Sequence, residues 1–517
     1  MCKTAAGLGA ARLDAMRQSS PTPESAESAS AAERAAAPAE SAVESVAVPA
    51  AERHAIRRIV ALALPTFGQL VAEPAFILID TAIVGHIGDG GTALAGLSIG
   101  STVILTAVGL CVFLAYGTTS QVARLIGAGR RREGMEAGIS GLWLALGIGI
   151  VVSIALFAVA EPLCVALGAG GSGGGAAGGA GVVSGSGDAG GGAAGGFGVL
   201  GASVAYLRAV VFGLPGMLLV YAANGVFRGM QRMRITLIVA VAGAVLNTML
   251  DVLFVFGFRW GVAGSGAATL IAQWFMGVAL VVPALRWARA AGADWRPRLQ
   301  GIAQAAGDGV PLFVRTLALR VSMVGTVMLA ASMGTRVLAA YQVVNASWNF
   351  TINMLDAIAI AGQTLVAAEL GAGRRLGARS MTRLCGRAGA VGGCCIGAAL
   401  AAFGLLAAGL FSPDDSVRGL VVVGMLVLAV FLPLGGWMWA LDGILIGAGD
   451  YRYLAVGCMV TAAIYVPALL VINALDGWLI VGDTARMVVL WTVINVLFVG
   501  VRALANGLRV RTDAWMA

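Results

Sequence analysis

The sequence predicts an all-α integral membrane protein of about 12 transmembrane helices, arranged as two homologous six-helix lobes. Three observations lead there. The chain is 59% hydrophobic and only 12% charged, where soluble domains run at roughly 45–50% apolar and 25% charged, and its mean hydropathy is +0.89. Its apolar residues fall in runs long enough to cross a bilayer. A short Gly/Arg segment occurs once in each half, at the same place in the order of those runs. The same balance explains the formal charge of +8. Lys3 is the only lysine, so the charge is arginine, which in the connections of a polytopic protein sets its orientation and does not imply a nucleic-acid partner.

Residues 1–52 are rich in Ala, Ser, Glu and Pro without periodicity, which predicts a disordered cytoplasmic tail and not a cleavable signal peptide. Apolar runs then predict spans near 57–80, 92–119, 136–160, 199–226, 235–258, 261–285, 305–332, 337–366, 383–410, 418–445, 453–475 and 486–508. Arginines cluster in alternate connections: Arg57 and Arg58, Arg124 with Arg130 to Arg132, Arg228 to Arg234, Arg286 to Arg298, Arg374 to Arg387, Arg452, and Arg509 with Arg511. The intervening connections hold only Arg259, Arg336, Arg418 and Arg486. By the positive-inside rule both termini are cytoplasmic and the span number is even, in a multi-pass protein of the plasma (cytoplasmic) membrane. The predicted organisation is an N-lobe over 53–290, a cytoplasmic linker over 291–304, a C-lobe over 305–511 and a short cytoplasmic tail over 512–517.

The repeat supports two lobes of one orientation. ARLIGAGRRREG at 123–134 recurs as AAELGAGRRLGA at 367–378, aligning Gly127 with Gly371, and GLPGMLLVYAANGVFRG at 213–229 recurs as FLPLGGWMWALDGILIG at 431–447, aligning Pro215 with Pro433. The second offset is shorter, so the first half carries an insertion between Gly129 and Pro215. The Gly-rich stretch 168–201, with Asp188 its only charge, is that insertion: an external linker peripheral to mechanism. Pro65 likewise aligns with Pro311. Two such halves facing each other across a cleft suit a transporter that opens alternately to each side.

Polar residues inside the spans supply the candidate site. Pro65–Gly88 holds two carboxylates, Glu73 and Asp80, in an otherwise apolar run. Seven residues on a helix is nearly two turns, so both face one way, about 10 Å apart. An acid at mid-bilayer costs about 2.5–3.5 kcal/mol on insertion scales, which makes it a functional candidate; the alternative is a place near the span's end, in headgroup water. In the fifth span Asn247 and Asp251 share a helical face, where an amide and a carboxylate suit Na⁺ or a protonatable acid, or else act as interhelical glue. Asn224 and Thr269 are further oxygens. In the second half Arg315, Arg320, Asn345, Asn349, Asn353, Asp356 and Asp442 fall within spans, and Asp356 is a natural partner for an arginine there. Phe76, Phe227, Met249, Trp348, Phe350, Met354, Trp437 and Trp439 are candidates to line a pocket for amphiphilic or cationic solutes.

Other chemistries find no support. The seven cysteines contain no C-x-x-C pair and the only histidines are His54 and His86, so neither a disulfide framework nor a zinc site is expected. H-E-x-x-H is absent, against a membrane-embedded metalloenzyme of that class. A flippase for a lipid-linked precursor is the alternative among transporters; it needs a cationic cavity, to which Arg315 and Arg320 would contribute.

The chain resembles the multidrug and toxic compound extrusion (MATE) family, and within it the DinF-like branch. The resemblance rests on ALP at 63–65, IDTAIVGHIG at 79–88, ALAGLSIG at 93–100, the paired GAGRR segments, NGVFRGMQ at 224–231, NTMLD at 247–251, GAATLIAQ at 266–273 and LDAIAIAGQTLV at 355–366, and covers about 53–511. It implies a V-shaped two-lobe fold and export of organic solutes by antiport with H⁺ or Na⁺. It further implies that Asp80, Asn247, Asp251, Thr269 and Asn224 form the coupling site, with Na⁺ held by Asp80, Asn247 and Asp251 if that is the ion. Pro65 is the implied hinge, and Glu73, Asp356 and Arg315 stand second. The expected partners are a small-molecule substrate and membrane lipids, with no cofactor beyond the coupling ion, in a monomer.

Overall fold

Among the described residues, twelve apolar helices are each long enough to cross a membrane. A computed structural model describes residues 53–72, 83, 90–169, 194–407, 409 and 414–516. The predicted tail 1–52, Glu73, Phe76, Asp80 and His86, and most of the Gly-rich stretch, lie outside the described residues. The helices are α1 (Arg53–Ala72), α2 (Ala95–Gly127), α3 (Arg131–Ala158), α4 (Gly198–Gly229), α5 (Met233–Gly257), α6 (Gly261–Ala290), α7 (Leu299–Ser332), α8 (Thr335–Gly371), α9 (Arg375–Ala407), α10 (Asp415–Ala448), α11 (Tyr451–Leu475) and α12 (Asp483–Arg511). Of residues 1–58 only Arg53–Arg58, the opening turns of α1, are described; Ile59 to Ala517 forms one unit.

Two helices start well before their apolar runs. α3 starts at Arg131 and α7 at Leu299, both earlier than hydropathy predicts, and α7 thereby takes up the end of the predicted linker 291–304. Hydropathy finds only the segment that hydrocarbon requires, while the helix continues among charged side chains such as the exposed Glu133 and the ion-paired Glu136. The described start of the fourth span, Gly198, also lies inside the predicted insertion 168–201.

Val151 and Ile154 of α3, Ile238, Val245 and Met249 of α5, Met328 of α7 and Leu470 of α11 are exposed. In water such stripes would be a liability; in a bilayer they are the lipid-facing side. Inside the second half, Tyr341 and Trp348 of α8, Trp439 of α10, Tyr465 of α11 and Trp491 and Phe498 of α12 form an aromatic core. Trp348 meets Trp439 and Trp491 edge to face, with ring centroids 6.5 and 5.9 Å apart, the arrangement that the ring quadrupoles favour. Trp348, Trp439 and the fully buried Phe227, which packs on Trp287 at 5.6 Å, are packed in the core here, and Met249 is exposed.

The repeat is visible in the packing. Gly149 of α3 lies against the Pro215 backbone of α4, and the aligned Gly393 of α9 lies against Pro433 of α10. Gly225 of α4 abuts the Ala115 carbonyl of α2, and the aligned Gly443 of α10 abuts that of Ala359 in α8. Lacking a side chain, glycine lets two backbones approach to contact distance, a substitute for the hydrophobic drive that lipid removes. Both halves thus use the same glycine at the same crossing.

Candidate functional site

In the first half the site is built on α5. Asn247 and Asp251, one turn apart, are both fully buried, and Asn247 Nδ2 donates to Asp251 Oδ2 at 2.6 Å. Immediately after Asp251 the helix widens into a π-helical turn, Leu253–Gly257, a distortion common near functional sites. Gly243 of α5 touches Met276 of α6 and Phe254 touches Gly264, an antiparallel register that sets Asp251 level with Ala267 and Ala268, between Ser265 and Thr269. Two α6 hydroxyls at this level, Ser265 Oγ and Thr269 Oγ1, are buried and make no hydrogen bond among the described residues. Oxygens so placed call for a water or a cation, and one carboxylate, one amide and two hydroxyls suit a hard cation or a proton. Ser265, a turn before Thr269 on the same face, escaped the sequence reading; its only signal was that spacing.

Asn224 is not brought to this level. Gly213 and Gly216 of α4 lie against Leu270 and Gln273 of α6, a parallel register that sets Asn224 roughly 18 Å along the axis from Thr269. Asp80 and Glu73 lie outside the described residues. Pro65 is inside α1, where it cannot donate to the Ala61 carbonyl, and the Thr66 hydroxyl bonds back to Leu62 O at 2.7 Å. Both features loosen the helical ladder at that turn.

The second half holds a denser cluster. Asp442 of α10 accepts from Arg315 of α7 at 2.5 Å, from Asn506 of α12 at 2.6 Å, and from Arg502 of α12, all four side chains being buried. Arg502 also lies over the Trp439 and Phe498 rings, 5.6 and 5.5 Å from their centroids. Asp356 was the natural partner for an arginine of the seventh span, but the acid hydrogen-bonded to Arg315 is Asp442, where side chains of α7 and α12 converge on α10. Asp356 accepts instead from Tyr116 Oη of α2 at 3.1 Å, across the two halves, with Arg228 and Arg315 as its electrostatic neighbours. Arg502 and Asn506, one turn apart like Asn247 and Asp251, were legible as a pair but not as ligands of Asp442.

The halves meet at the arginine-rich end. Gln121 of α2 donates to Asp308 of α7 at 2.6 Å, and Gln363 of α8 donates to Tyr116 O at 2.8 Å and Ser120 Oγ at 3.0 Å. Ser120 donates to the Ile446 carbonyl at 2.8 Å, and Arg298 pairs with Glu136 at 2.5 Å. The two GAGRR segments close the end reciprocally: a β-carbon on Gly127 would overlap the Ala368 carbonyl, and one on Gly371 would overlap that of Arg124. Each repeat glycine thus lies on the residue three before its counterpart, the signature of a local two-fold relation.

Comparison with known proteins agrees with this architecture. The MatE family model matches residues 65–253 and 311–471. The chain is 27% identical to Protein DETOXIFICATION 44, chloroplastic, of Arabidopsis thaliana, over 88% of this chain and 83% of that one. It is 27% identical to the DNA damage-inducible protein F of Escherichia coli K12, over 75% and 79%. Among solved structures, the Vibrio cholerae MATE transporter VcmN in the bent form superposes with a TM-score of 0.75 at 19% identity, covering 90% of this chain and 99% of that one. A Pyrococcus furiosus transporter of the MOP superfamily, described as having a binding pocket of reverse polarity, superposes with a TM-score of 0.72 at 19% identity, covering 88% and 96%. With two matched segments, one in each half and together more than half of its length, the chain belongs to the MatE family of multi-pass membrane efflux transporters.

Proposed function

We propose that this chain exports small organic solutes across the plasma membrane by antiport with H⁺ or Na⁺, acting as a monomer with both termini cytoplasmic. The fully buried Asn247–Asp251 pair, at the level of two α6 hydroxyls, carries the reading. A carboxylate there is costly while charged and cheap once an ion neutralises it, so ion binding biases the packing of the first half. Asp80 joins this site, and Pro65 is the turn at which α1 bends in response. The arginine-rich seal is the closed cytoplasmic side. Loading the ion from outside favours expulsion of the solute; releasing it inside restores the charge and the inward-opening state. One charge moving through 100 mV is worth about 2.3 kcal/mol, enough for a solute gradient of roughly 50-fold.

The test is transport of fluorescent organic dyes in proteoliposomes, driven in turn by an imposed pH gradient and an imposed Na⁺ gradient. Asp251→Asn should reconstitute normally and lose about tenfold or more of the gradient-driven rate, the cost of removing one charge-assisted contact. Full gradient-driven transport by that variant would sink the assignment.

A further inference from the structure

The lipid-facing stripe of α6 ends in two arginines. Ile271, Phe275, Val278 and Val282 are exposed and recur three or four residues apart, so they share one face of the helix. Arg286 and Arg289, both exposed, continue that face just past Leu285, where the apolar run ends. Trp287 between them fixes the rotation of the helix end. Its ring turns inward onto Phe227, with centroids 5.6 Å apart, and carries the Arg232 guanidinium 4.4 Å from its centroid.

Arginines at such a boundary complement the helix C-terminus and set orientation. Their pairing sets these two apart. At the same end Arg130 is paired with Glu133, Arg374 with Glu369 and Arg509 with Asp450. The acids nearest in the chain are engaged as well, Asp294 and Glu136 by Arg298, at 3.8 and 2.5 Å. Arg286 and Arg289 have no carboxylate partner among the described residues, and like charges three residues apart on a helix repel. An anion placed between them relieves that repulsion.

Toward the membrane centre the same face is grooved. Ile271, Trp274, Phe275, Val278 and Ala279 line a shallow apolar groove, with the Trp274 indole held by the Phe212 carbonyl at 2.9 Å. Pro283, inside the helix, cannot donate to the Ala279 carbonyl at the groove's edge. From Trp274 to Arg286 the helix rises about 18 Å, close to half of the roughly 30 Å hydrocarbon thickness. One leaflet's depth therefore separates the arginines from the groove.

We propose that this face of α6 binds one anionic phospholipid from the leaflet at the arginine-rich end, its phosphate between Arg286 and Arg289 and an acyl chain along Val282 and Val278 into the groove. A soluble phosphate would engage the guanidiniums alone; the apolar stripe leading away from them selects a lipid. Ser265 and Thr269 lie on the face of α6 turned to α5, so this site is separate from the coupling groups and does not rest on the exporter reading.

The delipidated full chain in detergent is titrated with dioleoyl phosphatidylglycerol, dioleoyl phosphatidylcholine or inorganic phosphate, and bound lipid is counted by native mass spectrometry. Phosphatidylglycerol should bind about thirtyfold tighter than phosphatidylcholine, the ratio that two arginines give toward an anionic lipid. Arg286→Gln with Arg289→Gln should remove the ratio, and the double Lys variant should retain most of it, since a phosphate accepts from either cation. Arg234→Gln, one turn before the exposed Ile238 on α5, is the control and should leave the ratio unchanged. Val278→Asn keeps both charges and should weaken both lipids severalfold. Melting without lipid should be the same for all variants, because every altered side chain is exposed. Equal binding of the two lipids, or a ratio that the Gln pair leaves intact, overturns the site. An equal loss in Arg234→Gln overturns it in favour of diffuse attraction to a basic face. Displacement of phosphatidylglycerol by millimolar inorganic phosphate overturns the lipid assignment, and unchanged binding in Val278→Asn overturns the groove's part in it.

Discussion

Asp442 illustrates how much one residue can hold in place. With Arg315, Arg502 and Asn506 all donating to it inside the second half, its loss would leave two buried guanidiniums without their acid. Breaking a buried pair by removing one partner costs about 3–5 kcal/mol. Asp442→Ala should therefore lower the thermal midpoint of the purified protein in detergent, with Asp442→Asn intermediate because it still accepts hydrogen bonds. An unchanged midpoint in the Ala variant would mean that water replaces the carboxylate. At this scale the sequence was informative about α5, where Asn247 and Asp251 share a face by spacing alone, and about Asp442 as an acid within a span, but silent about its partners, which come from helices far apart in the chain.

Among the elements, α2 and α8 decide whether the arginine-rich end is shut. Their closest approach uses Gly127 and Gly371, where a side chain would strike the opposing backbone, and the polar contacts of Gln121, Ser120 and Gln363 follow from that proximity. Gly127→Val or Gly371→Val should force the ends apart, and a cysteine introduced at Gln121 should then react severalfold faster with a membrane-impermeant maleimide from the arginine-rich side. Equal reactivity with and without the valine would show that the seal does not depend on glycine contact. The helices themselves were legible, since runs of apolar residues report what hydrocarbon demands. Their ends were not, because α3 and α7 continue into water where hydropathy gives no signal.

For the whole molecule, the alternation of arginines makes a prediction independent of any site. Two reporters fused after Ala517 check the side: green fluorescent protein, which folds in the cytoplasm, should glow, and alkaline phosphatase, which is active only on the oxidising outer side, should be inactive; the reverse pattern would invert the orientation. Sequence by itself determined the all-α membrane class, the span count and the two-fold repeat, because the bilayer imposes length and apolarity on every span locally. It also determined the family, through motifs kept in order over both halves. Tertiary structure decided which polar groups meet: that Arg315 hydrogen-bonds Asp442, that Asn224 stands a long way along the axis from Thr269, and that Ser265 joins Thr269 near the level of Asp251. Those outcomes depend on helix register and rotation, which are set by glycine contacts between distant segments, and no local pattern in the chain encodes them.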